Sequence, residues 1–100
     1  MSEPLISFEP ATGEELWRGA VSNIDAEVEI ARRAWPEWAA KPVTFRTETL
    51  RRFVDRVKAE GEAFADLIAR ETGKPLWEAR TEVESVANKV DISVKAYAER

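Results

Sequence analysis

The sequence Glu71-Thr72-Gly73-Lys74-Pro75 separates two long amphipathic stretches and decides how the chain folds. Glycine readily takes the left-handed conformation in which many helices end, and proline is favoured at the first position of a helix. The string therefore predicts one helix that ends at Gly73 and another that begins at Pro75.

Both flanking stretches carry apolar side chains at helical spacing. This spacing predicts helices over residues 44–72 and 75–98, and Thr44 is a plausible cap for the first. Gly61 falls within the first stripe, where it either permits close helix contact or is tolerated at a cost of about 1 kcal/mol relative to alanine. The stripes comprise Leu50, Phe53, Val54, Val57, Phe64, Leu67 and Ile68 in the first helix, and Leu76, Ala79, Val83, Val86, Val90, Val94 and Tyr97 in the second.

A further helix is predicted nearer the amino terminus, over residues 22–38, because apolar residues recur there in steps of four and three. Ser22 or Asn23 can cap it. Pro36 is expected to end its regular part or to kink its last turn. The apolar residues are Ile24, Val28, Ala31, Trp35 and Trp38.

Residues 5–18 predict a β-hairpin, in which two short strand-like runs flank the turn Pro10-Ala11-Thr12-Gly13. Gly13 can take the left-handed conformation that closes such a turn with a bulge. A lone hairpin is marginally stable, so this one must pack on something. The predicted fold class is therefore α+β, with an amino-terminal hairpin and three helices in a single unit of 100 residues.

The composition excludes several function classes. The chain is 44% apolar and 34% charged with a net charge of −4, which suits a globular protein and gives no basic face for nucleic acid. No apolar run approaches the roughly 20 residues of a membrane span, and the first residues lack a signal-peptide pattern. We therefore expect a cytoplasmic protein without a nucleic-acid or membrane partner.

The sequence also lacks the residues that usually perform catalysis. It contains no cysteine and no histidine, so thiolate chemistry, the usual general base and the commonest metal ligand are missing. The four glycines match neither the dinucleotide-binding fingerprint nor the P-loop spacing. On these grounds we identify no catalytic, cofactor-binding or metal-binding residue.

Three segments carry a resemblance to a known family. They are the turn at residues 10–14, the helical stretch at residues 28–40, and the junction at residues 71–75. In this order and spacing they resemble the amino-terminal part of aldehyde dehydrogenases, where they form the first hairpin turn, the first helix and the link between the second and third helices. The resemblance covers residues 5–98, and it implies that the hairpin and helices belong to a larger α/β fold.

Residues 15–17, 70–79 and 87–97 further resemble the branch of that family that oxidises N-succinylglutamate semialdehyde with NAD in arginine breakdown. The resemblance implies that a cysteine attacks the aldehyde, NAD accepts a hydride, and water activated by a glutamate hydrolyses the thioester. In the family all these groups lie beyond the segment matched here, so none is assigned to this chain. We expect the chain alone to be inactive and not to bind NAD.

The same resemblance places one face of the third helix at the entrance of the aldehyde tunnel. Ser85 and Lys89 are expected near that face, one helical turn apart. There a lysine would attract a distant carboxylate of a succinylated substrate, and a serine would donate a hydrogen bond beside it. The alternative is that Lys89 is an ordinary solvated lysine.

Two hypotheses follow. The first is an inactive segment of a dehydrogenase whose partner is the remainder of that fold; the second is an independent helical module that binds a partner through the stripe of its second or third helix. Under the first hypothesis the helices carry more apolar surface than they can bury among themselves. Self-association through the exposed apolar face is then expected.

Overall fold

The computed structural model describes residues 3–100 and confirms the α+β class with an amino-terminal hairpin. It contains four helices where the sequence predicts three. The strands are β1 (Leu5–Phe8) and β2 (Glu15–Gly19), and the helices are α1 (Ile24–Ala40), α2 (Val43–Ala59), α3 (Gly61–Thr72) and α4 (Leu76–Glu99).

The hairpin forms as its turn residues predict. β1 and β2 pair antiparallel, and the register shifts between Ser7 and Phe8 because β2 has one extra residue there. Gly13 has φ +78°, and its N–H donates to the carbonyl of Glu9 at 2.7 Å. An L side chain is disfavoured at this φ, so glycine suits the position.

The prediction of a single helix over residues 44–72 is wrong, because the chain forms two helices there that are separated at Glu60. Glu60 has φ −103° and ψ 14°, outside the helical range, and Gly61 begins α3. Glycine is a poor helix former, so an interruption beside it costs little. The break lets α2 and α3 pack separately on α4.

The start of α2 also differs from the prediction. Pro42 and not Thr44 precedes its first residue, and no side chain caps it. Thr44 lies inside the helix. Similarly, α4 begins at Leu76, one residue after Pro75.

Helix α1 begins as expected but ends later. The side chain of Asn23, and not that of Ser22, accepts a hydrogen bond from the N–H of Ala26 at 3.1 Å. Pro36 does not end the helix, the first of the two predicted alternatives, because α1 continues through it to Ala40. Proline removes the hydrogen bond to the carbonyl four residues earlier, and α1 is exposed throughout, so water can satisfy that carbonyl.

The core is small and lies where α2, α3 and α4 meet. It comprises Val57, Ala65, Ala79 and Val83, with the partly buried Ile68 and Ala69 against it. Ala65 and Ala79 have no exposed surface, so α3 and α4 approach closely across small side chains. Gly73, at φ +80°, ends α3 as predicted and turns the chain back into α4.

The hairpin is attached to this core by polar contacts. The hydroxyl of Ser7 donates to a carboxylate oxygen of Glu71 at 2.5 Å, and Arg70 lies 3.9 Å from the carboxylate of Glu9. Both contacts reach the last turn of α3, beside the junction.

The chain as a whole is extended. Its radius of gyration is 17.4 Å, against about 13 Å for a compact domain of this length. Its accessible surface is 8202 Å², whereas a compact protein of 11.3 kDa has about 5,700 Å². About 2,500 Å² is therefore exposed in excess of a compact fold.

Much of this excess lies on α1, which has no buried residue. Along its stripe, Ile24 is 75% exposed and Trp35 is 67% exposed. Trp38 contacts Phe45 of α2 edge to face, with ring centroids 6.4 Å apart. The predicted exposed apolar face is present.

Candidate functional site

The two residues predicted at a substrate entrance lie on the outer face of α4. Ser85 and Lys89 are each two positions from Ala87, which is buried, so they point about 160° away from the core. Both are exposed. The structure thus brings them together on an open face, as their spacing predicts, and it shows nothing of a tunnel.

Neighbouring groups on this face determine what the two side chains can do. The hydroxyl of Ser85 donates to the carbonyl of Thr81 at 3.0 Å. Within residues 3–100, Lys89 makes no ion pair, so its ammonium is available to an anion. Ile92, one turn beyond Lys89, is 57% exposed and adds an apolar contact.

An ion pair between Arg80 and Glu62 borders a polar depression between α3 and α4. The guanidinium Nη2 lies 2.6 Å from Oε1, and Nε lies 3.0 Å from Oε2. The hydrogen bond from Arg80 lowers the pKa of Glu62, and the same bond raises the pKa of Arg80. Lys58 and Glu84 also line this depression, so it presents both charges and favours neither anions nor cations.

A second ion pair stabilises the junction between α3 and α4. Lys74 pairs with Glu82 on the next helix. That hydrogen bond raises the pKa of Lys74. The pair links the residue that follows Gly73 to the second turn of α4.

An apolar bowl of about 270 Å³ opens on another side of the three-helix unit. Each of the three helices contributes two side chains to its wall, at spacings of three or four residues. All six residues lie on the apolar stripes predicted from the sequence, and helical periodicity alone does not reveal that they line one open depression. The lining residues are Phe53, Val57, Phe64, Ile68, Val83 and Val86.

The positive-φ glycines of the described residues lie apart from any glycine-rich loop that opens a helix. Among the described residues, glycine has a positive φ only at Gly13, in the hairpin turn, and Gly73, after α3. The helix that follows Gly73 is preceded by Pro75, which has no N–H to offer a phosphate. Residues 3–100 also contain no group of three potential metal ligands.

Of the helices formed by these residues, none is both long enough and apolar enough to cross a membrane.

Comparison with known proteins agrees with the segments singled out above. Residues 2–100 match the aldehyde dehydrogenase family. The chain is 92% identical over its whole length to an N-succinylglutamate 5-semialdehyde dehydrogenase from Sphingopyxis alaskensis, covering 21% of that protein. Over 96% of its length it is 57% identical to the protein of the same name from Novosphingobium aromaticivorans, of which it covers 20%. A Vibrio cholerae protein of that name is 46% identical over 98% of the chain, with 21% of the relative covered.

The chain thus spans about a fifth of the length of these relatives. Its hairpin, its first helix and its Glu71–Pro75 junction are the segments on which the resemblance rested, and the match extends over nearly every residue. The chain belongs to the aldehyde dehydrogenase family.

Proposed function

We propose that this chain is a supporting part of an NAD-dependent enzyme that oxidises N-succinylglutamate semialdehyde to N-succinylglutamate in arginine breakdown. The observation that carries the proposal is the excess surface of about 2,500 Å², to which the unburied amphipathic helix α1 contributes. Obligate protein interfaces bury about 2,000–5,000 Å² summed over both partners, and burying the excess on this chain alone would correspond to roughly 5,000 Å² in total. An area of this size suits permanent packing against the remaining four fifths of such an enzyme.

The substrate assignment rests on the relatives, which carry the name of that reaction. The chemistry itself belongs elsewhere in the enzyme, because this chain has no cysteine to attack an aldehyde. We therefore assign no catalytic step to its own residues.

A split-enzyme experiment tests the proposal. The part of the Sphingopyxis relative that this chain does not cover is expressed alone and then mixed with the purified chain. We expect NADH formation from N-succinylglutamate semialdehyde only in the mixture. A covalent fusion of the two parts is the positive control, and an inactive but folded fusion would contradict the proposal in favour of an independent helical module.

We further propose that the outer face of α4 recognises the succinylated substrate. Lys89 has no anionic partner within residues 3–100, and a carboxylate of the substrate would supply one. Ser85 stands one turn away, and its hydroxyl would rotate from the Thr81 carbonyl to donate beside Lys89.

A further inference from the structure

The apolar bowl is an open and unfilled part of the surface. Three of its lining side chains remain substantially exposed: Phe53 at 52%, Val86 at 51% and Phe64 at 43%. Deeper in the bowl, Val57 and Val83 belong to the buried core. The bowl is therefore continuous with the core, and whatever fills it would extend the core outward.

The chemistry of the bowl excludes a polar small molecule. All six lining residues are aliphatic or aromatic. Sites for cofactors and substrates contain a few polar groups that fix orientation, and they usually measure about 300–1,000 Å³. A volume of about 270 Å³ without a polar side chain suits one large apolar side chain and neither a dinucleotide nor a dicarboxylate.

The rim next to Phe53 is basic. Arg52, Arg56 and Asp55 line a shallow depression that shares Phe53 with the bowl. Within residues 3–100 neither arginine pairs with a carboxylate, and Arg52 donates only to the hydroxyl of Thr49 at 3.3 Å. A partner that fills the bowl would be favoured if it brought a carboxylate to this edge.

A second copy of the chain does not suit this surface. A symmetric dimer brings the same patch of both copies into one interface, so the two basic rims at Arg52 and Arg56 would meet there and repel each other. An asymmetric contact between copies does not close and would continue into a chain of subunits. The relatives, in contrast, have about four fifths of their length outside the region matched here.

We propose that the bowl receives a large apolar side chain, flanked by an acidic residue, from a part of the dehydrogenase outside these 100 residues. This inference rests on the proposed function and specifies which surface of the chain the rest of the enzyme contacts. Filling the bowl would bury the exposed rings of Phe53 and Phe64 together with Val86.

Site-specific photo-crosslinking in the active fusion tests this inference. A benzophenone side chain replaces Val86, and a comparison variant replaces Ile30 of α1, which is similarly exposed at 54% and should form its adduct with a different peptide because it lies outside the bowl. We expect an intramolecular adduct from position 86 to a peptide beyond this segment, with an apolar and an acidic residue adjacent. An adduct between copies, or no adduct in an active enzyme, would overturn the inference while leaving the proposed function intact.

A charge reversal provides a second readout. Arg56→Glu should weaken binding of this chain to the remainder of the split enzyme about tenfold, since it places a negative charge where a carboxylate is expected. Lys58→Glu, on the same helix but facing the depression beside the Arg80–Glu62 pair, is the control. Equal binding by the two variants would contradict the basic rim's role.

Discussion

Replacement of Gly61 and Gly73 by alanine should change stability in opposite directions. Gly61 is the first residue of α3, and a Cβ built there would lie 3.6 Å from a methyl carbon of Val83, an ordinary van der Waals distance. Gly73 has open space around its Cα but a φ of +80°. An added Cβ would meet no clash at either position, but the backbone conformation at Gly73 is unfavourable for alanine.

The magnitudes follow from these two environments. Gly61→Ala should stabilise the chain by about 0.4–1 kcal/mol, because alanine loses less conformational entropy on folding. Gly73→Ala should destabilise it by about 1–2 kcal/mol, the cost of a left-handed conformation for a residue with a Cβ. In a domain of this size about 1 kcal/mol moves the melting temperature by roughly 4–8 °C.

Circular dichroism of the purified variants during thermal and urea unfolding measures both effects. We expect Gly61→Ala to melt a few degrees above the parent chain and Gly73→Ala to melt below it, with unchanged helix content in both. A Gly61→Ala variant that melts lower would refute the reasoning. That result would mean that α3 must approach α4 more closely at this position than a methyl group 3.6 Å from Val83 permits.

Four further outcomes are expected. Arg80 lowers the pKa of Glu62 in the folded chain. The pair therefore stabilises the fold at pH values above the pKa of Glu in the unfolded chain, about 4.3, and this stability is lost as the pH falls through the lower folded pKa. Glu62→Gln should remove that part of the acid dependence of the urea midpoint. Ser7→Ala should speed hydrogen exchange in β1 and leave α4 unchanged, because it removes the bond to Glu71; equal exchange in β1 would show that the bond does not hold the hairpin. In the active fusion, Lys89→Met should lower kcat/KM for the succinylated substrate far more than for a small uncharged aldehyde, and equal losses would assign Lys89 to the fold. The chain alone should form no NADH from aldehyde above a control without protein, a result that its lack of cysteine requires.

The features that sequence reasoning placed correctly are those set by local chemistry. Gly13 and Gly73 both adopt positive φ, and Asn23 caps α1, because each conformation depends on one residue and its immediate neighbours. The break at Glu60 is different. The apolar stripe continues through it in sequence, and only the requirement that α2 and α3 both reach α4 favours two helices over one.

The same limit applies to the proposed substrate face. Helical spacing places Ser85 and Lys89 on one face, and in the structure this face points away from the core. Which part of an enzyme would lie opposite it depends on residues far outside the segment, so no local pattern specifies it.

The exposure of α1 and of the apolar bowl has one physical explanation. Periodicity identifies the apolar face of a helix but not the surface that covers it, and a stripe as wide as that of α1 is stable in water only where something packs against it. Under the proposed function, the remainder of the dehydrogenase would have to cover both Trp35 of α1, at 67% exposed, and Phe53 of α2, at 52% exposed, so its interface with this chain would be extensive.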